Sequence, residues 1–252
     1  MNLILLEGAE VGGDGRVTLD GVRGEHLRGV LHATPGQEVR VGLLDGPLGV
    51  GTVTSVGEDG VELRCAFDAA AAPRPRVDLL LALPRPKVMR RLWAQIAALG
   101  VGQIVLTNAA RVERNYFDAH VLAPDGYRPL LVEGLQQARD TRLPVVSIHR
   151  QFKILVEDAL DGLFADGLRL VADPGAAAPP EKVVRADRGA RVLLAVGPEG
   201  GWNDFERDLL AAHGFRAVSM GARTLRTDTA CIALLASVHA ALTDRELTGG
   251  ED

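Results

Sequence analysis

The sequence predicts an α/β protein in which a small β-rich domain precedes a parallel sheet covered by helices. Residues 1 to 70 contain short apolar runs separated by glycine and aspartate turns, as in small barrels. After the alanine- and proline-rich stretch 69–75, apolar runs alternate with helical patterns. A length of 252 residues suits two domains, which we place at 1–70 and 71–252.

In the first domain the apolar runs predict five strands and one short helix. Hairpin-type turns, Asp45-Gly46-Pro47 and Glu58-Asp59-Gly60, separate the last three strands. The first two strands are expected to pair across the glycines between them. The strands are expected at 3–6, 16–19, 38–44, 50–56 and 61–67, and the helix within 24–33.

In the second domain the apolar runs predict a parallel sheet. Residues 77–83 are continuously apolar apart from Asp78, as expected of a strand buried on both faces. The other strands are expected at 103–107, 168–172, 192–196 and 215–220. The helices are expected at 87–99, 127–139, 152–160, 204–212 and 230–242.

Composition and charge narrow the class of protein. An apolar fraction of 47% with 24% charged residues is typical of a soluble globular protein. The net charge of −5 argues mildly against nucleic-acid binding, but six basic residues stand against the single acid Asp78 in 73–91. This run is either a solvated helix face or a site for a polyanion. The basic residues are Arg74, Arg76, Arg85, Lys87, Arg90 and Arg91.

The sequence lacks the signals that are typical of several other classes of protein. Cys65 and Cys231 are isolated, which fits a reducing cytoplasm better than a disulfide scaffold. No export signal precedes the first apolar run, and the apolar stretch 230–242 is too short to span a bilayer. The six histidines lack metal-ligand spacing, and no serine-hydrolase G-x-S-x-G is present. We therefore expect a cytoplasmic protein without a metal.

The first of two glycine-bearing turns, 196–201, follows the strand at 192–196. Gly197, Gly200 and Gly201 precede a capping box made by Asn203 and Glu206. A tight turn explains any one of these glycines, but not three together with Pro198 and Glu199. The phosphate-loop pattern is missing, and a carboxylate here would repel phosphate. The turn instead suits a cationic or hydroxyl-bearing ligand, or an uncharged base edge.

The second turn, 220–230, carries Arg223 and Arg226 before a helix that Thr227 or Asp228 caps. Two guanidinium groups beside the positive end of a helix cost stability unless an anion or polar ligand compensates them. Because both turns follow strands of one sheet, about twenty residues apart, we expect them to share a pocket. The helix 230–242 is apolar on nearly all sides, so it is buried in the core or against a partner chain.

These two turns, GPEGG and G-A-R-T-L-R-T-D-T-A, resemble the SPOUT superfamily of RNA methyltransferases, and within it the ribosomal RNA small subunit methyltransferase E family. The stretches 26–31, Pro35-Gly36 and Leu99-Gly100-Val101 also resemble this family. The resemblance implies a PUA-like β-barrel before a trefoil-knotted parallel-sheet domain. It also implies methylation of N3 of a uridine, U1498 in the family, in 16S ribosomal RNA of the 30S subunit, by a homodimer joined through the knot and last helix.

The resemblance further implies S-adenosyl-L-methionine as cofactor, held by loops 172–174, 196–201 and 220–227. The residues matched to cofactor binding are Ala172, Asp173, Val196, Gly197, Pro198, Gly200, Gly201, Met220, Gly221, Leu225 and Thr227. The residues assigned to RNA binding are Arg28, Arg85, Lys87, Arg90 and Arg142. The chain departs from the family at Gly29, His32, 95–98 and 136–140, which are RNA-facing positions by the resemblance, while the cofactor turns are intact.

Methylation of uridine N3 requires loss of a weakly acidic proton. We assign Arg223 and Arg226 as the reactive pair that stabilises charge on the base oxygens, with Glu199 shaping the pocket. Glu199 or Asp228 is the candidate base. Three alternatives stay open: a related methyltransferase with another target base, a non-catalytic RNA-binding or ribosome-assembly factor, and a nucleotide-phosphate enzyme.

Overall fold

The computed structural model describes residues 3–187 and 191–248, with side chains up to residue 243. The chain forms two compact units. The first comprises Met1–Arg74 together with Val132–Leu143, and the second comprises Pro75–Leu131 and Pro144–Asp252. Thr141 ties the returning stretch into the first unit, because its Oγ1 donates to Gly46 O at 2.6 Å.

The first unit is a curved five-stranded sheet. Its strands are β1 (Ile4–Leu6), β2 (Arg16–Leu19), β3 (Glu38–Leu43), β4 (Leu48–Val56) and β5 (Val61–Phe67). A short helix α1 (Gly21–Glu25) continues into a π-helical turn at His26–Val30. A 3₁₀ turn lies at Gly8–Glu10. The strand order is β1-β3-β4-β5-β2, in which β1 pairs with β3 in parallel and the other pairs are antiparallel.

The expected pairing of the first two strands is wrong. β1 pairs with β3, with Ile4 opposite Val41, whereas β2 pairs with β5, with Val17 opposite Leu63. Each strand presents its apolar residues to one shared core, and this arrangement buries both Ile4 and Val17. Burial of a common apolar face therefore overrides the glycine-rich turn between the two strands.

The second unit has a six-stranded, fully parallel sheet. Its strands are β6 (Val77–Ala82), β7 (Val101–Thr107), β8 (Val145–His149), β9 (Leu168–Ala172), β10 (Val192–Val196) and β11 (Arg216–Val218). The order is β11-β9-β10-β6-β7-β8. This confirms the predicted α/β class with a parallel sheet. We did not predict the edge strand β8, because its five residues, Val-Val-Ser-Ile-His, are exposed or half-buried and form no continuous apolar run.

Helices accompany the strands of this sheet. They are α2 (Pro86–Ala98), α3 (Pro124–Ala138), α4 (Phe152–Ile154), α5 (Leu160–Leu163), α6 (Pro180–Ala186), α7 (Asp204–Ala212) and α8 (Thr227–Thr248). α3 runs from the second unit into the stretch that belongs to the first. A π-helical turn at Leu155–Ala159 joins α4 to α5. In the described ranges no helix has the length and apolar character needed to cross a membrane.

The strand order brings three carboxyl ends together. β9 lies between β11 and β10, with Val218 opposite Ala172 and Ala195 opposite Val171. The segments that follow these three strands therefore leave the sheet at one edge, which is where parallel sheets hold ligands.

Candidate functional site

A cavity of about 280 Å³ opens at this edge of the sheet. Its walls come from the segments after β9 and β10 and from the start of α8. Of the residues predicted to bind cofactor, the structure brings together Ala172, Asp173, Val196, Gly197, Pro198, Gly200, Gly201 and Thr227 around it. Arg111, Pro174, Trp202, Arg207, Thr224 and Ala230 complete the wall with Glu199. We refer to this space as the main cavity.

The remaining predicted cofactor residues lie nearby. Met220, Gly221 and Leu225 line a smaller cavity of about 50 Å³ that shares Ala172–Pro174 and Ala230 with the main cavity. Ser219 shapes this second turn: the amide of Gly221 donates to its Oγ at 3.2 Å. The two sequence turns thus converge, as their spacing predicts.

Close packing explains why the first turn needs glycines. A Cβ on Gly197 would lie 3.1 Å from Nε1 of Trp202. The Trp202 indole is only 3% exposed, and its ring centroid lies 5.3 Å from that of Phe152, so it has little room to move. Gly201 has a φ of +71° and donates its amide to Pro198 O at 2.8 Å, which closes the turn. The turn is therefore fixed before any ligand binds.

Glu206 holds this turn to a second segment. The predicted capping box is confirmed: Glu206 N donates to Asn203 Oδ1 at 2.8 Å, and Asn203 N donates to Glu206 Oε2 at 2.9 Å. The other carboxylate oxygen accepts the amide of Ala110 at 2.6 Å. Glu206 is 3% exposed, so all three hydrogen bonds are shielded from water.

Arg111 is a site residue that the sequence analysis missed. It lies after β7, and its Nη1 donates to Gly200 O across the main cavity wall. A Cβ on Gly200 would lie 2.7 Å from Arg111 Cδ, so the glycine leaves room for the arginine stem. No recognisable motif surrounds Arg111, and 89 residues separate the pair, so only the tertiary structure reveals the contact.

A second, more polar cleft of about 500 Å³ adjoins the main cavity. Glu199 and Thr227 line both spaces and so form their common wall. The other residues around this polar cleft are Arg85, Lys87, Val88, Arg91, Arg226 and Asp228. With Glu199 and Asp228 it holds two acidic residues against four basic ones, so the cleft is positive overall and suits an anionic or polar ligand.

Hydrogen bonds fix the acids of the polar cleft. Asp228 Oδ2 lies 3.1 Å from Arg91 Nη2, which links α8 to α2. Glu199 Oε1 accepts the amide of Arg85 at 3.3 Å. Thr227, 4% exposed, donates its Oγ1 to Gly197 O at 3.5 Å, joining the start of α8 to the first turn. Both carboxylates are therefore positioned by hydrogen bonds from α2 and from the residue that precedes it.

The structure separates the two arginines that we paired. Arg226 lines the polar cleft, whereas Arg223 lines the smaller cavity with Met220 and Leu225. Arg85 and Lys87 also line the polar cleft, and Arg90 lies exposed on α2.

The other two residues assigned to RNA binding belong to the first unit. There Arg28 Nη1 donates to Gly57 O at 2.8 Å and to Glu58 O at 2.6 Å. Arg142 donates to Ala72 O at 2.5 Å and to Asp45 O at 2.8 Å. Both guanidinium groups thus hold backbone segments of their own unit.

Comparison with known proteins agrees with this geometry. The family described as RNA methyltransferase domain matches residues 71–239. The ribosomal RNA small subunit methyltransferase E of Treponema pallidum is 31% identical, over 95% of this chain and 92% of its own length. The protein of the same name from Mycobacterium bovis is 28% identical, over 87% and 84%.

A solved structure shares the fold. It is described as ribosomal RNA small subunit methyltransferase E from Neisseria gonorrhoeae bound to S-adenosyl methionine, and it matches with a TM-score of 0.75 at 21% identity. The match covers 95% of this chain and 97% of that one. Together with the match of the family to residues 71–239 and the identity to the Treponema protein, this places the chain in the ribosomal RNA small subunit methyltransferase E family.

Proposed function

We propose that this protein transfers the methyl group of S-adenosyl-L-methionine to N3 of a uridine in 16S ribosomal RNA, the family target U1498. One observation carries the proposal: two cavities of different chemistry share a wall made by Glu199 and Thr227. The main cavity suits the donor and the polar cleft suits the acceptor base, so the shared wall marks the point of transfer.

The main cavity fits the donor chemically. Ala172, Val196, Pro198 and Ala230 offer apolar surface for an adenine ring, and Asp173 offers a carboxylate for hydroxyl groups. Backbone around the glycines can approach a ligand closely because no Cβ intervenes. When bound, S-adenosyl-L-methionine supplies an electrophilic methyl group on a sulfonium.

The polar cleft provides the groups that the acceptor needs. Arg226 can donate to a base oxygen and stabilise the negative charge that develops as N3 loses its proton. Glu199 borders both spaces and is our candidate to accept that proton, with Asp228 as the second candidate. Arg223 lines the smaller cavity, so we propose that it acts from the donor side.

The basic residues around this cleft suggest how RNA is held. We propose that Arg85, Lys87 and Arg90 contact phosphates near the target base. For the first unit we propose a PUA-like RNA-binding role, which its half-barrel sheet supports. Arg28 and Arg142 also stabilise the first unit, because their guanidinium groups donate hydrogen bonds to its backbone carbonyls.

We also propose that the second unit is a trefoil-knotted methyltransferase domain that forms a homodimer through the knot and α8. The convergence of three loops at one sheet edge supports the knot. The exposed small residues Ala236 and Ala240 on an otherwise apolar helix support dimerisation. A crystal structure in which α8 does not pass between the segments after β9 and β10 would contradict the knot.

Incubation of the purified protein with unmethylated 30S subunits and labelled cofactor tests the activity. We expect N3-methyluridine after digestion of the 16S RNA. A different methylated nucleoside would indicate a related methyltransferase with another target base. Cofactor binding by calorimetry without any transfer would favour a non-catalytic assembly factor. Binding of ATP instead of the cofactor would favour a nucleotide-phosphate enzyme.

A further inference from the structure

Arg111 lies at the main cavity and has no carboxylate partner among the residues that the structure describes. We propose that Arg111 binds the carboxylate of the amino-acid portion of the methyl donor and so selects ligands that carry this group. The inference rests on the proposed function, because it assigns one end of the donor within the same cavity. It adds a binding residue that neither turn of the sequence contains.

The other charged residues of the cavity wall are already engaged. Arg207 donates to Trp202 O at 2.8 Å and pairs with Asp204, and its Nε lies 3.9 Å from Asp173. Asp173 Oδ1 accepts the amide of Gly175 at 2.8 Å. Glu199 accepts the amide of Arg85. These groups are thus held by neighbours within the protein.

Arg111 differs from them. In the described part of the chain its one hydrogen bond goes from Nη1 to a neutral carbonyl, that of Gly200, and it has no carboxylate partner. A guanidinium has five N–H donors in a planar fork, so four stay available for a second acceptor. A carboxylate is the acceptor that matches this fork, through two parallel hydrogen bonds.

Two contacts hold Arg111 in place without a ligand. The preceding residue, Ala110, is tied by its amide to the buried Glu206, which fixes the backbone. The guanidinium itself donates to Gly200 O, and the missing side chain of Gly200 leaves room for the arginine stem, since a Cβ there would lie 2.7 Å from Cδ. A donor group held in advance loses little conformational entropy on binding, which favours recognition.

The amino-acid portion of the donor can be tested separately from the nucleoside. S-adenosylhomocysteine carries the carboxylate, whereas 5′-methylthioadenosine lacks the whole amino-acid group. We expect the wild-type protein to bind the first compound more tightly by calorimetry. Arg111→Gln keeps a donor for Gly200 O but removes the charge. In this variant we expect affinity for S-adenosylhomocysteine to fall by up to about fivefold, as for one exposed ion pair. Affinity for 5′-methylthioadenosine should not change.

Two further variants complete the design. Arg111→Lys keeps the charge and should recover part of the lost affinity. Arg114→Ala removes an exposed charge from the same segment, outside the cavity wall, and should leave both affinities unchanged.

Equal losses for both compounds in Arg111→Gln would mean that Arg111 only supports the loop, and the proposal would be wrong. Unchanged affinities would overturn it as well. If the wild-type protein binds neither compound, the proposed function itself fails. If circular dichroism shows that Arg111→Gln is unfolded, the comparison of Arg111→Lys with wild type decides. Equal loss of affinity for both compounds in Arg111→Lys would contradict the proposal.

Discussion

The carboxylate of Glu206 accepts the amide of Ala110 at 2.6 Å and the amide of Asn203 at 2.9 Å. One buried side chain therefore caps α7 and fastens the segment after β7 to the turn that lines the main cavity. Neither function requires Glu206 to touch a ligand. Its role is to position Gly200, Gly201 and Arg111.

Replacement of Glu206 by glutamine should destabilise the protein. An amide has a single acceptor oxygen, so one of the two backbone N–H groups would face an NH₂ group and lose its partner. We expect the free energy of unfolding to fall by about 1–3 kcal/mol, the usual cost of a buried unpaired donor. Urea denaturation measures it, with Asp208→Asn, exposed on the same helix, as the control. Equal stability of both variants would contradict this role.

Gly197→Ala should disturb the main cavity from within. The new Cβ would lie 3.1 Å from the buried Trp202 ring, which also packs against Phe152. Overpacking of this kind costs about 1–3 kcal/mol and should also weaken cofactor binding. Gly162→Ala is the matched control, because no heavy atom of the described, non-neighbouring residues lies within 4 Å of its Cβ position. If Gly197→Ala keeps the Tm and the cofactor Kd of the wild-type protein, the turn tolerates a side chain and the prediction is wrong.

Arg226→Ala should impair catalysis, whereas Arg223→Ala should impair cofactor binding. Arg226 lines the polar cleft, so its loss should lower kcat by about 10²- to 10³-fold, as for one oxyanion donor, with little change in cofactor Kd. Arg223 lines the smaller cavity, so its loss should mainly raise cofactor Kd. Single-turnover methylation and calorimetry separate the two effects. The assignment would be reversed if Arg226→Ala lost cofactor affinity while Arg223→Ala kept it.

The half-buried pair of Glu10 and Arg23 should make the stability of the protein pH-dependent. The Arg23 hydrogen bond lowers the pKa of Glu10 below its ordinary value of 4.5. A lowered folded-state pKa contributes stability above pH 4.5, and this contribution is lost as the pH falls through the folded-state value. At pH 7 we expect Glu10→Gln to be less stable than wild type by about 1 kcal/mol or less, given the partial exposure.

Urea denaturation at several pH values tests this expectation. The difference between wild type and Glu10→Gln should shrink as the pH falls below about 4.5, because the wild-type carboxyl becomes neutral too. As a control at pH 7, Asp14→Asn removes the acid of an exposed pair with Arg16 and should differ little from wild type. A difference that grows in acid would show that the pair does not stabilise the folded state.

Local sequence was enough for much of the second unit. The apolar runs ending at Ala172 and Val196 predicted buried strands, and Asn203 with Glu206 predicted the start of α7, because each signal depends on residues close in the chain. The convergence of the two glycine turns also followed from the rule that parallel strands end at one edge. The predicted pairing of β1 with β2 was wrong, because the strand with which each one pairs depends on a common core built from residues distant in the chain.

The sequence by itself determined the fold class, the two turns and the residue types that a methyl donor needs. Each of these depends on short patterns of glycine, arginine and apolar residues that lie close together in the chain. Only the tertiary structure decided that Arg226 and Arg223 line different cavities, that Glu199 and Thr227 separate two of them, and that Arg111 joins the wall. The physical reason is distance along the chain. Contacts such as Arg111 with Gly200 depend on how separate strands pack, and no local pattern encodes that packing.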